Sequence, residues 1–267
     1  MPKKSLGQNF LINKTIQKKI VSFLELEPTD LVLEIGAGKG AMTVHLAESG
    51  ARLWAVEVDR KILPELERKL SPFPNPKILS QEIQTVRLED LEHSGRFKVV
   101  GNIPYHLTSP ILDWLVAQKE KVERAVIMIQ REVARRFLAG PGMTEYSPLT
   151  FFVRFHFEVE KLLDVRPGNF YPKPEVNSTV VKLVPRSQIP WGVQNSDNFL
   201  KVVKKAFLHR RKTLLNSLVL EKVASGEESE NIFEELRIPV KVRPEDLSFE
   251  DFARLANRIL ASPLKFF

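Results

Sequence analysis

The segment LVLEIGAGKGAMT (31–43) runs a short apolar stretch straight into glycines at 36, 38 and 40, and from there into the helical pattern TVHLAESG. No other feature constrains the fold as much. An apolar strand with no polar face must be covered on both sides, and glycines at its carboxyl end let the backbone turn tightly and stay open to a ligand. The alternation continues with strand RLWAVEVD (52–59), helix RKILPELERKL, strand PKILSQE (76–82) and strand FKVVGN (97–102). Strands alternating with helices predict a parallel α/β sheet covered on both faces. AVIMIQREVARRFLAG, near 125–140, reads as a further strand entering a helix. LTFFVRFHFEVEKLLDV, near 149–165, reads as a strand of alternating residues, and STVVKLVP (178–185) as a last antiparallel strand at the edge.

PRSQIPWGVQNS (185–196) then dilutes the apolar pattern with Pro, Gly and polar residues, and only helical patterns follow. The expected organisation is an α/β domain over 1–188 and a small all-helical domain over 189–267. Ser248 is the expected cap of the final helix, with Glu250 and Asp251 in its first turn.

Composition narrows the chemistry. The absence of cysteine excludes thiolate nucleophiles and sulfur-ligated zinc, and five scattered histidines without HxH or HxxxH spacing argue against any metal site. No apolar run approaches the ~18 residues of a membrane span, and the amino terminus MPKKSLGQNF lacks a signal-peptide core, so no membrane partner and a cytoplasmic location are expected. A formal net charge of +7 points towards a polyanionic partner.

In an open α/β sheet, the turn holding Gly36 and Gly38 lies where ligands bind, at the carboxyl edge of the strands. Glu57, about 20 residues on and at the end of the second strand, can accept hydrogen bonds from both hydroxyls of a ribose. Gly36, Gly38 and Ala41 also satisfy the relaxed pattern GxGxx[GA], which leaves a nicotinamide cofactor open. Glu34 tilts the choice, because a carboxylate just before the glycines suits a cationic sulfonium better than a pyrophosphate. Glu82 stands where it could accept from an adenine amino group.

GNIPY (101–105) gives a purpose to such a ligand. If the ligand is S-adenosylmethionine and the nucleophile an exocyclic base amine, the protein must align the two and free a lone pair that is delocalised into the ring. The Asn102 side-chain carbonyl and the Ile103 backbone carbonyl would each accept one amine hydrogen, with Pro104 fixing the backbone between them. Tyr105 would offer a flat face to the extruded base. Ser109 is expected to cap the following helix.

LEIGAGKG followed by GNIPY, with GQNFL (7–11) upstream, FYPKPEVNSTVVKLVP (170–185) and FLHRRKTLLNSL (207–218), resembles the small-subunit rRNA adenine dimethyltransferase family along nearly the whole chain. The resemblance implies a Rossmann-like methyltransferase sheet and the use of S-adenosyl-L-methionine to dimethylate N6 of two adjacent adenosines near the 3′ end of small-subunit rRNA, within an assembling subunit. A monomer is expected. Carried over by motif, Asn9 and Leu11 would help hold the cofactor, with Gly36 at its methionine end, Glu57 on the ribose, Glu82 at the adenine and Asn102 close to both cofactor and amine. Phe170 would complete a sandwich with Tyr105 around the target base. The family usually carries Asp and a small residue where this chain has Glu82 and Ile83.

Between Phe199 and Lys212 six basic residues, Lys201, Lys204, Lys205, Arg210, Arg211 and Lys212, occur without an acidic one. On a helix that buries Phe199, Val202, Val203, Ala206 and Phe207 they form an expected phosphate-tracking surface, joined by Lys3, Lys4, Lys14, Lys18, Lys19, Arg131, Arg135 and Arg136. Two rival readings share the fold: a large-subunit rRNA methyltransferase of the macrolide-resistance type, and an rRNA-binding assembly factor without catalysis. A dehydrogenase is a third, and it leaves the basic helices unexplained.

Overall fold

The computed structural model describes residues 9–92, 94–209 and 211–260. Lys3, Lys4 and Arg210 lie outside them. In chain order the elements are β1 (Phe10–Leu11), α1 (Lys14–Ser22), β2 (Leu31–Ile35), α2 (Thr43–Ala47), β3 (Arg52–Val56), α3 (Leu63–Leu70), β4 (Lys77–Leu79), α4 (Leu88–Leu91), β5 (Phe97–Asn102), α5 (Thr108–Ala117), β6 (Val122–Gln130), α6 (Arg131–Leu138), α7 (Pro148–His156), β7 (Phe157–Val165), β8 (Phe170–Tyr171), β9 (Ser178–Pro185), α8 (Ser196–Ala206), α9 (Leu214–Leu220), α10 (Gly226–Leu236) and α11 (Phe249–Leu260).

Seven strands form one sheet in the order β4-β3-β2-β5-β6-β9-β7. The pairs from β4 to β6 are parallel, and β9 is antiparallel to β6. The antiparallel sense of β9 is as expected, but β7 lies outside it, so β9 is not the edge. β2 is buried at every position, which is the burial its uninterrupted apolar run demands. Gly101 lies between Ile35 of β2 and Ile127 of β6. A Cβ there would stand 2.9 Å from the Ile35 carbonyl oxygen and 2.8 Å from the Ile103 side chain, so close strand packing demands glycine.

The chain divides into two compact units, residues 1–134 with 158–185, and 135–157 with 186–267. The expected single cut near 188 therefore differs from the packing by the segment 135–157. The same segment corrects the reading of 149–165 as one strand: its first half is α7. Ser147 and Thr150 form a capping box and Pro148 occupies the first turn, which together start a helix. Phe151 and Phe155, four residues apart, then share one face and are buried against Phe199, with ring centroids 6.1 and 5.3 Å away. Phe151 also meets Phe249 and Phe252 at 4.9 and 4.8 Å. The buried Tyr146 hydroxyl donates to the Leu247 carbonyl, and the Arg154 guanidinium lies over Phe249, 4.7 Å from its centroid. Burial of this aromatic face outweighs the strand propensity of Phe and Val.

Ser248 caps α11 as expected, its oxygen accepting from the Asp251 amide at 3.0 Å. Ser109 does not cap α5: that helix starts at Thr108, whose hydroxyl donates to the Tyr105 carbonyl. No helix among the described residues is long and apolar enough to cross a membrane.

Candidate active site

A cavity of about 320 Å³ opens at the carboxyl ends of β2, β3 and β5. Asn9, Leu11, Gly36, Gly38, Glu57, Glu82, Asn102, Ile103, Pro104 and Tyr105, all singled out from the sequence, line it. Phe10, Val58, Gln84, His106 and Ile111 line it as well and were not singled out.

The glycine loop is fixed from two sides. Gly36 and Gly38 have φ of +69° and +55°, a backbone shape that side chains disfavour. A Cβ on Gly38 would also press on the Phe10 ring at 3.2 Å. The buried Glu57 ties the loop to β3: one carboxylate oxygen accepts from the Gly38 amide and the other from the Asp59 amide, both at 2.8 Å. Each oxygen keeps a second lone pair, so the carboxylate retains capacity for ribose hydroxyls.

Glu34 is 1% exposed, flanked in the sheet by Ala55 and Val100, and its Oε2 has no hydrogen-bond partner among the described residues. Burial pushes its pKa up to about 8, and the neighbouring Glu57 charge adds to the rise. The Thr43 hydroxyl, near it but outside hydrogen-bonding geometry, works the other way. A sign follows for stability. Below pH 4.5 the acid is protonated folded and unfolded alike; as pH rises from 4.5 to about 8 only the unfolded chain releases the proton, so stability falls through that window and then levels off. Glu34→Gln is expected to flatten this slope in urea titrations from pH 4.5 to 8.5; an unchanged slope would assign it to another group.

At the end of β5, the Asn102 side-chain nitrogen donates to the Asn9 carbonyl at 2.8 Å. That bond fixes the amide so that its oxygen remains the acceptor. Ile103 is anchored by its own amide to the Met128 carbonyl at 3.0 Å, and its carbonyl accepts no hydrogen bond among the described residues. Pro104 and Tyr105 direct their carbonyls elsewhere, to Leu107 and Thr108. The Tyr105 hydroxyl meets the buried Ser178 hydroxyl at 3.2 Å, which holds the half-buried ring in one orientation. Ser178 went unremarked in the sequence although it stands in the FYPKPEVNS motif.

Three candidates fall differently from expectation. Phe170 is 4% exposed, packs into the core of the first unit and does not line the cavity. In register it pairs with Leu11, which is equally buried but does line the cavity. Glu82 lies beyond β4, which ends at Leu79, and its carbonyl caps a turn by accepting from Thr85. Lys205 is half-buried and donates to the Glu221 carbonyl at the end of α9, whereas Lys201, Lys204, Arg211 and Lys212 are exposed.

A parallel sheet carrying this glycine loop, an acidic second strand end and Asn-Ile-Pro-Tyr beyond the neighbouring strand is the Rossmann-like architecture of S-adenosylmethionine-dependent methyltransferases. Within that class the chain belongs to the ribosomal RNA adenine dimethylase family, whose model matches residues 2–260. Ribosomal RNA small subunit methyltransferase A of Geobacillus sp. (strain WCH70) is 38% identical over 266 residues, covering 96% of this chain and 91% of that protein. The protein of the same name from Geobacter metallireducens is 37% identical over 263 residues, covering 97% and 96%. Among solved structures, a dimethyladenosine transferase from Plasmodium falciparum superposes with a TM-score of 0.81 at 26% identity over 94% of this chain and 98% of that one. The 23S rRNA methyltransferase ErmE gives 0.73 at 26% identity over 94% and 99%.

Proposed function

We propose that the protein binds S-adenosyl-L-methionine in this cavity and dimethylates N6 of two adjacent adenosines near the 3′ end of small-subunit rRNA, acting in the cytoplasm as a monomer on an assembling subunit. The observation that carries the chemistry is the Asn102 amide, held by Asn9 with its oxygen directed away from that bond. The family match and the description shared by its relatives support the substrate.

The residues fit the cofactor. Glycines leave room at the loop, and the Glu57 carboxylate, bonded to the Gly38 and Asp59 amides, keeps lone pairs for ribose hydroxyls, whereas Glu34, held protonated at neutral pH by its burial, brings no charge to the site. When bound, S-adenosylmethionine supplies an electrophilic methyl on a sulfonium. Asn102 Oδ1 and the Ile103 carbonyl each accept one hydrogen of the target amine, drawing the nitrogen towards tetrahedral geometry and localising its lone pair for in-line attack. The Tyr105 ring, steadied by Ser178, offers the flat face on which the base would stack. After transfer the alkylated nitrogen is cationic and strongly acidic and loses one proton to solvent, and repetition on the monomethylated nitrogen needs only one of the two carbonyls. Leu11 and Glu82 complete the cofactor's surroundings.

Exposed Lys201, Lys204, Arg211 and Lys212 supply the RNA surface in this reading, and Arg210 joins them by sequence. Reversing the four exposed residues to Glu is expected to weaken RNA binding. The log–log salt slope should become shallower by about 0.7–0.9 for each phosphate that is no longer neutralised. Filter binding across salt concentrations checks this, and an unaltered slope moves the RNA surface elsewhere.

The function is tested with labelled S-adenosylmethionine, offered separately with unmethylated small ribosomal subunits and with naked large-subunit rRNA, followed by nucleoside mass spectrometry. Dimethyladenosine from the small subunit alone is the expected result. Label in the large-subunit RNA alone would assign the resistance-type activity, and label in neither, with RNA bound, a non-catalytic assembly factor.

A further inference from the structure

β1 is two residues long and pairs with the two residues of β8, too short a ribbon to hold a cavity wall by itself. Yet Asn9, Phe10 and Leu11 all line the cavity. The Asn9 carbonyl holds the Asn102 amide, and the Phe10 ring lies against Gly38. Whatever fixes this short segment therefore fixes both the acceptor for the target amine and one side of the glycine loop. The fixing group comes from α1. Gln17 and Ile20 are the buried residues of that helix and, three apart, share one face. Ile20 is fully buried among apolar side chains, whereas Gln17, 5% exposed, brings an amide that is costly to bury unless it is bonded. Its Nε2 donates to the Leu11 carbonyl at 2.7 Å.

We propose that Gln17 is a positioning residue of the methyl-transfer site: its amide sets the Leu11 carbonyl and, through the two residues before it, the Asn9 carbonyl that orients the Asn102 side chain. The inference rests on the reading of Asn102 as the amine-holding group. Strand geometry explains why the donor is needed. Bonded positions alternate along an antiparallel ribbon, and the Ile12 amide donates to the Asn169 carbonyl at 2.8 Å, so Leu11 occupies the unbonded position opposite Phe170. Its carbonyl points away from β8, and Gln17 is the donor that meets it. Asn13 closes the corner between β1 and α1. Its Oδ1 accepts from the Thr15 and Ile16 amides, and its Nδ2 donates to Asn169 Oδ1 at 2.9 Å. Of these bonds, the one from Gln17 reaches a residue that lines the cavity. A polar residue on the inward face of an amphipathic helix breaks the apolar pattern that burial favours, and a departure of this kind marks a place where a specific bond matters more than packing.

The test compares the full wild-type chain with Gln17→Met, which keeps the side chain's length and removes its donor, and with Ile20→Val, which trims the same helix face by one methyl and leaves the Leu11 bond intact. Labelling with 15N-asparagine gives side-chain amide resonances, and that of Asn102 is identified by its loss in Asn102→Ala. Hydrogen exchange of this amide, read by saturation transfer from water, is expected to be about tenfold faster in Gln17→Met than in wild type, the scale of one buried hydrogen bond, and unchanged in Ile20→Val. Single-turnover methylation of unmethylated small ribosomal subunits at saturating cofactor should slow by a similar factor in Gln17→Met alone. Wild-type exchange in Gln17→Met overturns the proposal, and so does faster exchange with an unslowed methylation rate. Equal acceleration in Gln17→Met and Ile20→Val also overturns it, since a loosened helix and not the bond would then be responsible. Should Gln17→Met not fold, Gln17→Glu decides. Protonated, the introduced carboxyl donates to the Leu11 carbonyl as the amide does; ionised, it repels it. The Asn102 resonance is expected to match wild type below the titration of that carboxyl, followed by its 13C signal, and to depart from it above; no departure across the titration overturns the proposal. Wild-type protein that leaves subunits unmethylated overturns the substrate reading instead, and the amide exchange still decides whether Gln17 positions Asn102.

Discussion

Asn102→Ala is expected to lower turnover by about 10²–10³-fold, the effect typical of removing one preorganised polar group from a reacting centre. The cofactor Kd should stay within a few-fold. The reasoning starts from the amine, whose lone pair is shared with the purine ring and is a poor nucleophile until a hydrogen-bond acceptor pulls the nitrogen out of planarity. Asn102 Oδ1 is such an acceptor, and the 2.8 Å bond from its nitrogen to the Asn9 carbonyl keeps that oxygen from rotating away. Alanine removes the acceptor but leaves Gly36, Gly38 and Glu57, with its two backbone bonds, in place. Single-turnover methylation beside equilibrium cofactor binding separates the effects. A variant as active as wild type would remove Asn102 from the chemistry, and one that loses cofactor binding in proportion to rate would make it a cofactor ligand only.

Gly101→Ala is the change expected to cost most in stability. The residue lies in a central strand with neighbours on both sides, and its Cβ would face the Ile35 carbonyl oxygen at 2.9 Å and the Ile35 Cβ at 3.1 Å. A flexible side chain could move aside; a backbone carbonyl inside a parallel ladder cannot do so without breaking its register. We expect a destabilisation of about 3 kcal/mol, at the upper end of overpacking effects. The corresponding drop in Tm is roughly 6–12 °C for a chain of this size class. The next residue is Asn102, so the residual folded protein should also lose turnover. A melting temperature within 2 °C of wild type would mean that the strands separate more easily than this spacing implies, by about 1 kcal/mol or less of penalty.

The parts of the site legible in the sequence were those whose chemistry is local. Gly36, Gly38, Glu57 and Asn102 to Tyr105 are short motifs at strand ends, and the rule that ligands gather at the carboxyl edge of a parallel sheet brings them together without knowledge of packing. The misread parts depend on what lies opposite. Phe170 and Tyr171 are adjacent aromatics, and nothing in FYPKP says which faces inwards until Leu11 is known to be the partner of Phe170. Lys205 belongs to a basic run, yet its commitment to Glu221 depends on where α9 ends. In the same way α7 carries residues fit for a strand, and only the aromatic cluster around Phe199 and Phe249 makes a helix the better solution. Ser178 and Phe10 act through neighbours distant in sequence, so their motifs announced them without assigning a task.

The inclusion of residues 135–157 in the second unit has a consequence for the order of events during synthesis. α7 leaves the translating ribosome about 40 residues ahead of α8, which covers Phe151 and Phe155. At a synthesis rate of about 5–20 residues per second, those rings wait roughly 2–8 s for their partner. Meanwhile β7 and β9 emerge, and with them the first sheet can close. The nascent chain thus carries a finished catalytic sheet with an unpaired aromatic helix looped out of it, and a chaperone that shields apolar surface would find its target in that interval.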